Sequence, residues 1–184
     1  MNDELKETLH DSWERWGCFG TLGLALALVG IGTWFVKREN SPQVGADVRS
    51  VAFLDAQGQR HTLAEYSGKV VLVDVWATWC PPCRARLPEL ATLQAKAEGQ
   101  YAVLPISVDD GGFAQVTPFL ARQAGPLKAL QAYVPEGRNA LEPFGPIRGI
   151  PTTIIVDPTG RIRTRWSGYG PGKTEAELGA AMGK

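Results

Sequence analysis

The chain has 184 residues, of which 44% are hydrophobic and 21% are charged. Its 19 Lys and Arg residues balance its 19 Asp and Glu residues, so the formal net charge at neutral pH is zero. This length accommodates one globular domain with a short extension. With the charges balanced, nothing in the composition suggests a surface for nucleic acid.

The first element along the chain is an uncharged apolar stretch. Residues 16 to 36 contain no Asp, Glu, Lys or Arg, and a helix of that length spans roughly 30 Å at about 1.5 Å per residue. Trp16 and Trp34 lie at its two ends, where aromatic rings favour the membrane interface. We predict an N-terminal cytoplasmic segment over residues 1–15, one transmembrane helix over 16–36 and a linker over 37–47.

A cleaved signal peptide is the alternative interpretation of this stretch. The preceding residues are mainly acidic, and the stretch exceeds the apolar length of about 7 to 15 residues that is usual in signal peptides, so we favour an uncleaved anchor. The orientation does not follow from charge. Lys6 and Arg15 on one side equal Lys37 and Arg38 on the other, and the positive-inside rule therefore gives a tie.

The domain over residues 48–184 alternates strand and helix patterns. Residues 70–76 are almost continuously apolar, which is typical of a strand buried on both faces of a sheet. A helix is predicted from residue 81 to about 97, because Leu87, Leu90 and Leu93 recur at helical spacing. This order indicates an α/β domain. The other predicted elements are a hairpin (51–55 and 60–63), a strand (101–108), a helix (113–123), a short strand (129–133), one or two helical turns (138–144), a second hairpin (152–156 and 161–166) and a C-terminal helix whose capping box begins at Thr174.

Two cysteines mark the junction of the predicted buried strand and helix. Cys80 and Cys83 enclose Pro81 and Pro82, and this spacing at a helix start brings both sulfurs near unpaired backbone N–H groups and the positive end of the helix dipole. In such settings the pKa of the attacking cysteine falls from about 8.5 to between roughly 3.5 and 7.5. We therefore predict a redox-active dithiol in which Cys80 is the nucleophile and Cys83 resolves the mixed disulfide.

A metal site is the main alternative for a pair of cysteines at this spacing. A structural zinc site needs four ligands, whereas the chain has only one further cysteine, Cys18, and two histidines, His10 and His61. A copper chaperone of thioredoxin shape is also disfavoured, because that family uses a CxxxC pair with a partner histidine. We expect no metal and no cofactor other than the Cys80–Cys83 disulfide.

The motif WATWCPPC at residues 76–83 and the segment GIPTTIIVDPTGRI at residues 149–162 together resemble the TlpA/ResA-type thiol:disulfide oxidoreductases of the thioredoxin superfamily. The resemblance covers about residues 44 to 184. It implies a thioredoxin-like fold, with a central mixed β-sheet and helices on both faces. It also implies a cis peptide bond before Pro151, facing the dithiol, which leaves the Ile150 backbone available to an extended client chain.

The resemblance also implies a location and partners. Members of this family are tethered or exported, and act mostly as reductants in an oxidising compartment, where a dithiol is useful. We therefore expect a single-pass cell-membrane protein with its catalytic domain on the periplasmic side, a transmembrane electron donor, and clients such as apocytochrome c. The residues predicted to contact the client are Trp79, Pro81, Pro82, Ile150 and Pro151.

Two positions depart from the family pattern. Asp74 replaces the Asn common in these proteins and matches the buried aspartate of thioredoxin, while Arg86 stands where many members have Glu. A carboxyl in an apolar strand has a raised pKa and can accept the Cys83 proton. We predict that Asp74 transfers this proton and that Arg84 or Arg86 lowers the pKa of the thiols. The alternative is that both arginines are solvated side chains on the helix surface.

Three functions remain open at this stage. The first is a membrane-anchored protein-disulfide reductase. The second keeps the chemistry but reverses its direction, so that the protein donates disulfides. The third is a chaperone or binding module that holds extended chains without using its cysteines. A thiol peroxidase is disfavoured because the PxxxTxxC signature is absent.

Overall fold

A computed structural model describes residues 44–183 of the chain. The predicted segment 1–15, the predicted transmembrane helix 16–36 and most of the linker lie outside these residues. Within residues 44–183, no helix has both the length and the apolar character needed to cross a bilayer. In chain order the elements are β1 Ala52–Leu54, β2 Arg60–Thr62, β3 Val70–Trp76, α1 Pro81–Lys96, β4 Tyr101–Ser107, α2 Phe113–Ala121, β5 Val134–Pro135, β6 Thr152–Val156, β7 Ile162–Ser167 and α3 Lys173–Ala181.

A four-stranded mixed sheet forms the centre of the domain, with strand order β4-β3-β6-β7. Strand β3 is parallel to β4 and antiparallel to β6, and β6 is antiparallel to β7. All seven residues of β3 are buried, which explains why its sequence does not alternate between apolar and polar residues. The parallel pair is joined by α1, as a parallel connection requires a crossover.

Alternate residues of β3 contribute to two separate hydrophobic clusters. Val70, Leu72 and Trp76 pack in a first cluster with buried side chains from all three helices, including Leu90 of α1 and Leu178 of α3. The second cluster contains Val71, Val73 and Val75 from the opposite face of the strand. The central strand is therefore enclosed on both sides, and its C-terminal end lies between the two clusters.

The second cluster is where the fold differs from the sequence prediction of helices on both faces. Its cover is Phe53 of β1, Leu63 and Tyr66 of a 3-10 turn, and Phe144 of another. Strand β1 pairs with β2 and β5 in a second, three-stranded sheet. The β1–β2 hairpin thus supplies apolar cover that the prediction assigned to helices.

Three local predictions also differ from the structure. The strand predicted over 129–133 is instead a 3-10 turn over Gly125–Ala129 followed by the two-residue strand β5. The helical turns predicted over 138–144 reduce to a 3-10 turn over Glu142–Phe144. The capping box predicted at Thr174 is wrong, because Gly172 is the N-cap of α3 and the Thr174 hydroxyl accepts a hydrogen bond from buried Arg86 instead.

Candidate active site

Cys80 and Cys83 form a disulfide at the start of α1. Cys80 is the N-cap residue, and the backbone N–H of Cys83 donates to its Sγ at 3.3 Å. Pro81 and Pro82 occupy the first helical positions, where their missing N–H groups have no intrahelical partner to lose. After reduction, the same N–H and the helix dipole stabilise negative charge on Cys80 Sγ.

The loop between β3 and α1 is held by a buried carboxylate that the sequence analysis did not assign to the site. Asp109 Oδ2 accepts from the Thr78 backbone N–H at 2.9 Å, and its Oδ1 accepts from the Thr78 hydroxyl at 2.6 Å. The Ser107 hydroxyl donates to Asp109 Oδ2 at 2.6 Å. Since Thr78 lies two residues before Cys80, these bonds fix the approach of the chain to the dithiol. A polar residue directly after a buried strand was the available signal in the sequence.

The segment before β6 faces the disulfide. The peptide bond between Ile150 and Pro151 is cis, as the family resemblance implies, and the Ile150 carbonyl oxygen lies 3.7 Å from Cys80 Sγ. The Thr152 hydroxyl donates to the Gly149 carbonyl at 2.6 Å and lies 2.8 Å from the Ser167 hydroxyl. These bonds position the Ile150 carbonyl as a backbone acceptor beside Cys80 Sγ.

A cleft of about 690 Å³ is lined by Trp79, which precedes Cys80 in the chain, and by Ile150, whose carbonyl oxygen contacts Cys80 Sγ. The Trp79 side chain, which is 65% exposed, forms one wall together with Ile150. Further apolar wall is supplied by Val108 and Ile147, and Arg138 lies at the cleft with its side chain exposed. The site therefore combines a narrow approach to the sulfur with an apolar surface large enough for side chains of a peptide.

Behind the dithiol lies a buried ion pair. Asp74 and Arg86 are both 0% exposed, and Arg86 Nε lies 3.2 Å from Asp74 Oδ2. The Thr153 hydroxyl donates to the same Asp74 oxygen at 2.9 Å. Burial raises the pKa of Asp74 to about 6, Arg86 and Thr153 oppose this rise, and the nearby Glu89 carboxylate adds to it.

Comparison with known proteins identifies the family. The Redoxin profile matches residues 43–182. The chain belongs to the Redoxin family.

Similar proteins give the activity of this Redoxin family member. Thiol-disulfide oxidoreductase ResA of Halalkalibacterium halodurans is 24% identical over 151 residues, which are 82% of either chain. A DsbE homologue from Paracoccus denitrificans, named as a thiol:disulfide interchange protein, is 33% identical over 146 residues, covering 76% of this chain and 77% of its own. A solved structure of a candidate DsbE from Chlorobium tepidum matches with a TM-score of 0.66 at 25% identity, covering 77% of this chain and 99% of its own. The chain is thus a thiol:disulfide oxidoreductase of the TlpA/ResA type with a thioredoxin-like fold.

The structure separates the two arginines that the sequence analysis treated together. Arg84 of this oxidoreductase is exposed on α1. Arg86 is fully buried, so the interpretation of Arg86 as a solvated surface side chain is wrong. Its guanidinium lies against Asp74 and donates through Nη2 to the Thr174 hydroxyl at 2.9 Å. No local sequence pattern points to the further members of this cluster, because Thr153, Thr174 and Glu89 come from three different elements that only the fold brings together.

Proposed function

We propose that the chain is a membrane-anchored reductase that acts on disulfides of exported proteins, outside the reducing cytosol. The observation that supports this most directly is the position of Cys80, at a helix start and 3.7 Å from the Ile150 carbonyl, at the edge of an open cleft. A sulfur in that position can attack a disulfide that an extended chain presents alongside Ile150.

The proposed reaction has two exchange steps. In the first, the Cys80 thiolate attacks one sulfur of the client disulfide, forms a mixed disulfide and releases one client thiolate. In the second, Cys83 loses its proton, attacks Cys80 Sγ and releases the second client thiolate. The client disulfide is reduced by two electrons and the Cys80–Cys83 pair is oxidised. A donor dithiol then reduces the pair and completes the cycle.

We assign Asp74 as the base that takes the Cys83 proton in the second step. Its carboxylate lies in β3, behind the helix that carries Cys83, and its pKa of about 6 makes it ionised near neutral pH yet able to bind a proton. Arg84, exposed in the first turn of α1, adds positive charge close to the dithiol, although solvent screens its effect. The Asp74→Asn variant tests the assignment, since Cys83 reactivity in a thiol titration should fall while Cys80 reactivity is retained.

Client binding follows from the surfaces around Cys80. An extended segment pairs its backbone with the Ile150 carbonyl next to Pro151, as in strand addition to a sheet edge. Its side chains contact the exposed Trp79 ring, whose large apolar face suits varied residues. Pro81 and Pro82 are both exposed at the helix start and present a rigid rim to the same segment.

The location, donor and clients extend this proposal. The uncharged stretch over residues 16–36 supports a single-pass anchor with the catalytic domain on the periplasmic side, and a membrane electron carrier would then resupply the dithiol. We propose apocytochrome c or another exported cysteine protein as the client. Membrane fractionation and thiol labelling of intact cells test this placement. Labelling of Cys80 only after the inner membrane is permeabilised would contradict it.

Mechanism-based trapping is the decisive experiment. The Cys83→Ser variant lacks the resolving thiol, so it should accumulate a mixed disulfide between Cys80 and the client. The captured client can then be identified after non-reducing electrophoresis. Cys80→Ser is the matched control and should trap nothing. If a Cys80→Ser/Cys83→Ser double variant kept full activity in cells, the binding-module alternative would replace the redox proposal.

The equilibrium potential decides the direction of transfer. A value near that of thioredoxin, about −270 mV, supports a reductant, whereas a value near about −120 mV supports a disulfide donor. Equilibration of the purified domain with glutathione buffers of known ratio gives this potential directly.

A further inference from the structure

Proton transfer from Cys83 requires only a base, yet the buried base Asp74 is paired with a second buried charge. A lone buried aspartate can act as a base without a partner, yet here Arg86 lies fully buried beside it. A guanidinium keeps its charge in proteins, and a buried charge must be compensated by a nearby group. Asp74 Oδ1 and Arg86 Nη1 have no hydrogen-bond partner among the described residues. Charge, rather than a complete hydrogen-bond network, is therefore what joins the two side chains.

The position of Arg86 links this pair to the dithiol. Arg86 follows Cys83 by three residues on α1, and both side chains are buried, so they share one face of the helix. Its contact with Asp74 extends from that face to the middle of β3, and its contact with Thr174 extends to the first turn of α3. The Arg86 side chain thus connects α1, which carries Cys83, to β3, which carries Asp74.

A second charged group lies on the same helix with the opposite effect. Glu89 follows Arg86 by three residues and is half-buried, and its Oε1 is buried without a hydrogen-bond partner in the described structure. Its negative charge raises the pKa of Asp74, whereas Arg86 lowers it. The other residue of the site that contacts the carboxylate is the neutral Thr153 of β6. Within residues 44–183, Arg86 and Glu89 are the two charged side chains that act on it.

We propose that Arg86 and Glu89 are positioning residues of opposite sign that set the charge on Asp74, and through it the pH range in which Cys83 can attack. This inference rests on the proposed reductase cycle and on Asp74 as its base. The Cys83 proton moves to the Asp74 carboxylate, and the Cys83 thiolate forms a bond to Cys80 Sγ as the bond from Cys80 to the client breaks. The leaving client thiolate or solvent then takes the proton from Asp74. Arg86 keeps the carboxylate charged before the step, and Glu89 keeps it basic enough to accept the proton.

The test is a stopped-flow reaction of the reduced protein with excess dithiobis(nitrobenzoate). Cys80 releases one thionitrobenzoate ion when it attacks, and Cys83 releases a second when it resolves the mixed disulfide. The rate of the second phase is measured against pH, and the first phase serves as an internal control. Arg86→Met should move the midpoint of the second phase upward by about one pH unit or more, because an opposite charge beside a carboxyl lowers its pKa by about 1 to 3 units.

The variant Glu89→Gln keeps size and shape but removes the opposing charge, so its midpoint should move downward. Arg86→Lys retains a charge and should restore much of the parent profile. Asp74→Asn should remove the transition that Asp74 governs and leave only the pH dependence of the Cys83 thiolate fraction itself. A general packing defect would not move two variants in opposite directions. If Arg86→Met does not fold, Glu89→Gln decides the matter, since a downward shift supports the inference and an unchanged midpoint overturns it.

This design also separates failure of the inference from failure of the proposed function. Cys83→Ser must abolish the second phase, and its persistence in that variant would refute the dithiol cycle itself. A second phase that depends on Cys83 but has the same midpoint in the parent, Arg86→Met and Glu89→Gln would leave the cycle intact and overturn only the role given to the two charges.

Discussion

Removing the negative charge of Asp74 should stabilise the folded domain at neutral pH. Burial raises the pKa of this carboxyl from 3.8 to about 6, although Arg86 Nε lies only 3.2 Å from its Oδ2. Desolvation of the carboxylate therefore outweighs its attraction to the guanidinium, as can happen in a buried ion pair. The Asp74→Asn variant keeps the size of the side chain and an oxygen that can accept from the Thr153 hydroxyl, but it has no charge that folding must desolvate.

The expected magnitude follows from the pKa of Asp74. One pKa unit corresponds to about 1.4 kcal/mol, so the rise from 3.8 to about 6 means that the ionised carboxylate costs the folded state about 3 kcal/mol at pH 7. In a domain of this size each kcal/mol shifts the melting temperature by roughly 3 °C. The Asp74→Asn variant should therefore melt about 10 °C above the parent at pH 7, and the two proteins should have similar stability below pH 3.8.

Urea unfolding of the oxidised proteins at pH 7, followed by far-UV circular dichroism, measures this difference. The midpoint of the Asp74→Asn transition should rise. A midpoint below that of the parent would refute the reasoning, because it would show that the buried guanidinium needs the charge of the carboxylate more than the fold gains from losing it.

Three further predictions concern pH, the loop before the dithiol and the client surface. Burial raises the pKa of Asp74 from 3.8 to about 6, so the folded chain holds this proton more tightly than the unfolded chain. The resulting stabilisation is full below pH 3.8 and is lost as the pH rises through about 6. A series of urea transitions at different pH values should show this loss of stability in the parent, and the Asp74→Asn variant should not show it. Asp109→Ala leaves the Thr78 backbone N–H without its acceptor and should lower stability by roughly 1 to 3 kcal/mol, whereas Ala at its exposed neighbour Asp110 should have little effect in the same thermal melts. Trp79→Ala removes an exposed ring from the cleft and should raise KM for a peptide disulfide several-fold with the redox potential unchanged. Trp79→Phe should preserve most of the binding. Equal KM values for the parent and Trp79→Ala would show that the ring does not contact the client.

The elements around the dithiol could be predicted because local chemistry determines them. The apolar run of β3, the prolines at the start of α1 and the spacing of its leucines each specify one conformation, and the predicted bounds of β3 agree with the structure. The second hairpin also forms near its predicted residues. In these segments, propensity and tertiary packing favour the same structure.

The buried charge cluster could be predicted only in part. The sequence left open whether Arg86 acts on the thiols or is a solvated surface side chain, because surface charges interact weakly, yet its spacing from Cys83 and Leu90 already placed it on the buried face of α1. Thr174 fits a capping pattern with Glu177, and only the fold shows that a guanidinium 88 residues earlier uses its hydroxyl. Residues whose partners are distant in sequence give no local signal, and this is why the cluster became visible only in three dimensions.

Cys80 and Cys83 are almost completely enclosed, and this limits the shape of a protein segment that can reach their sulfurs. Cys80 is only 3% exposed and Cys83 only 1%, and the Ile150 carbonyl oxygen lies 3.7 Å from Cys80 Sγ. A disulfide held between packed secondary structures should therefore reach Cys80 Sγ less easily than one in an extended segment. A partner must present it on a thin, extended strand, as chains do before folding is complete. Access geometry alone would then make the enzyme sensitive to the folding state of its partners, independently of their sequences.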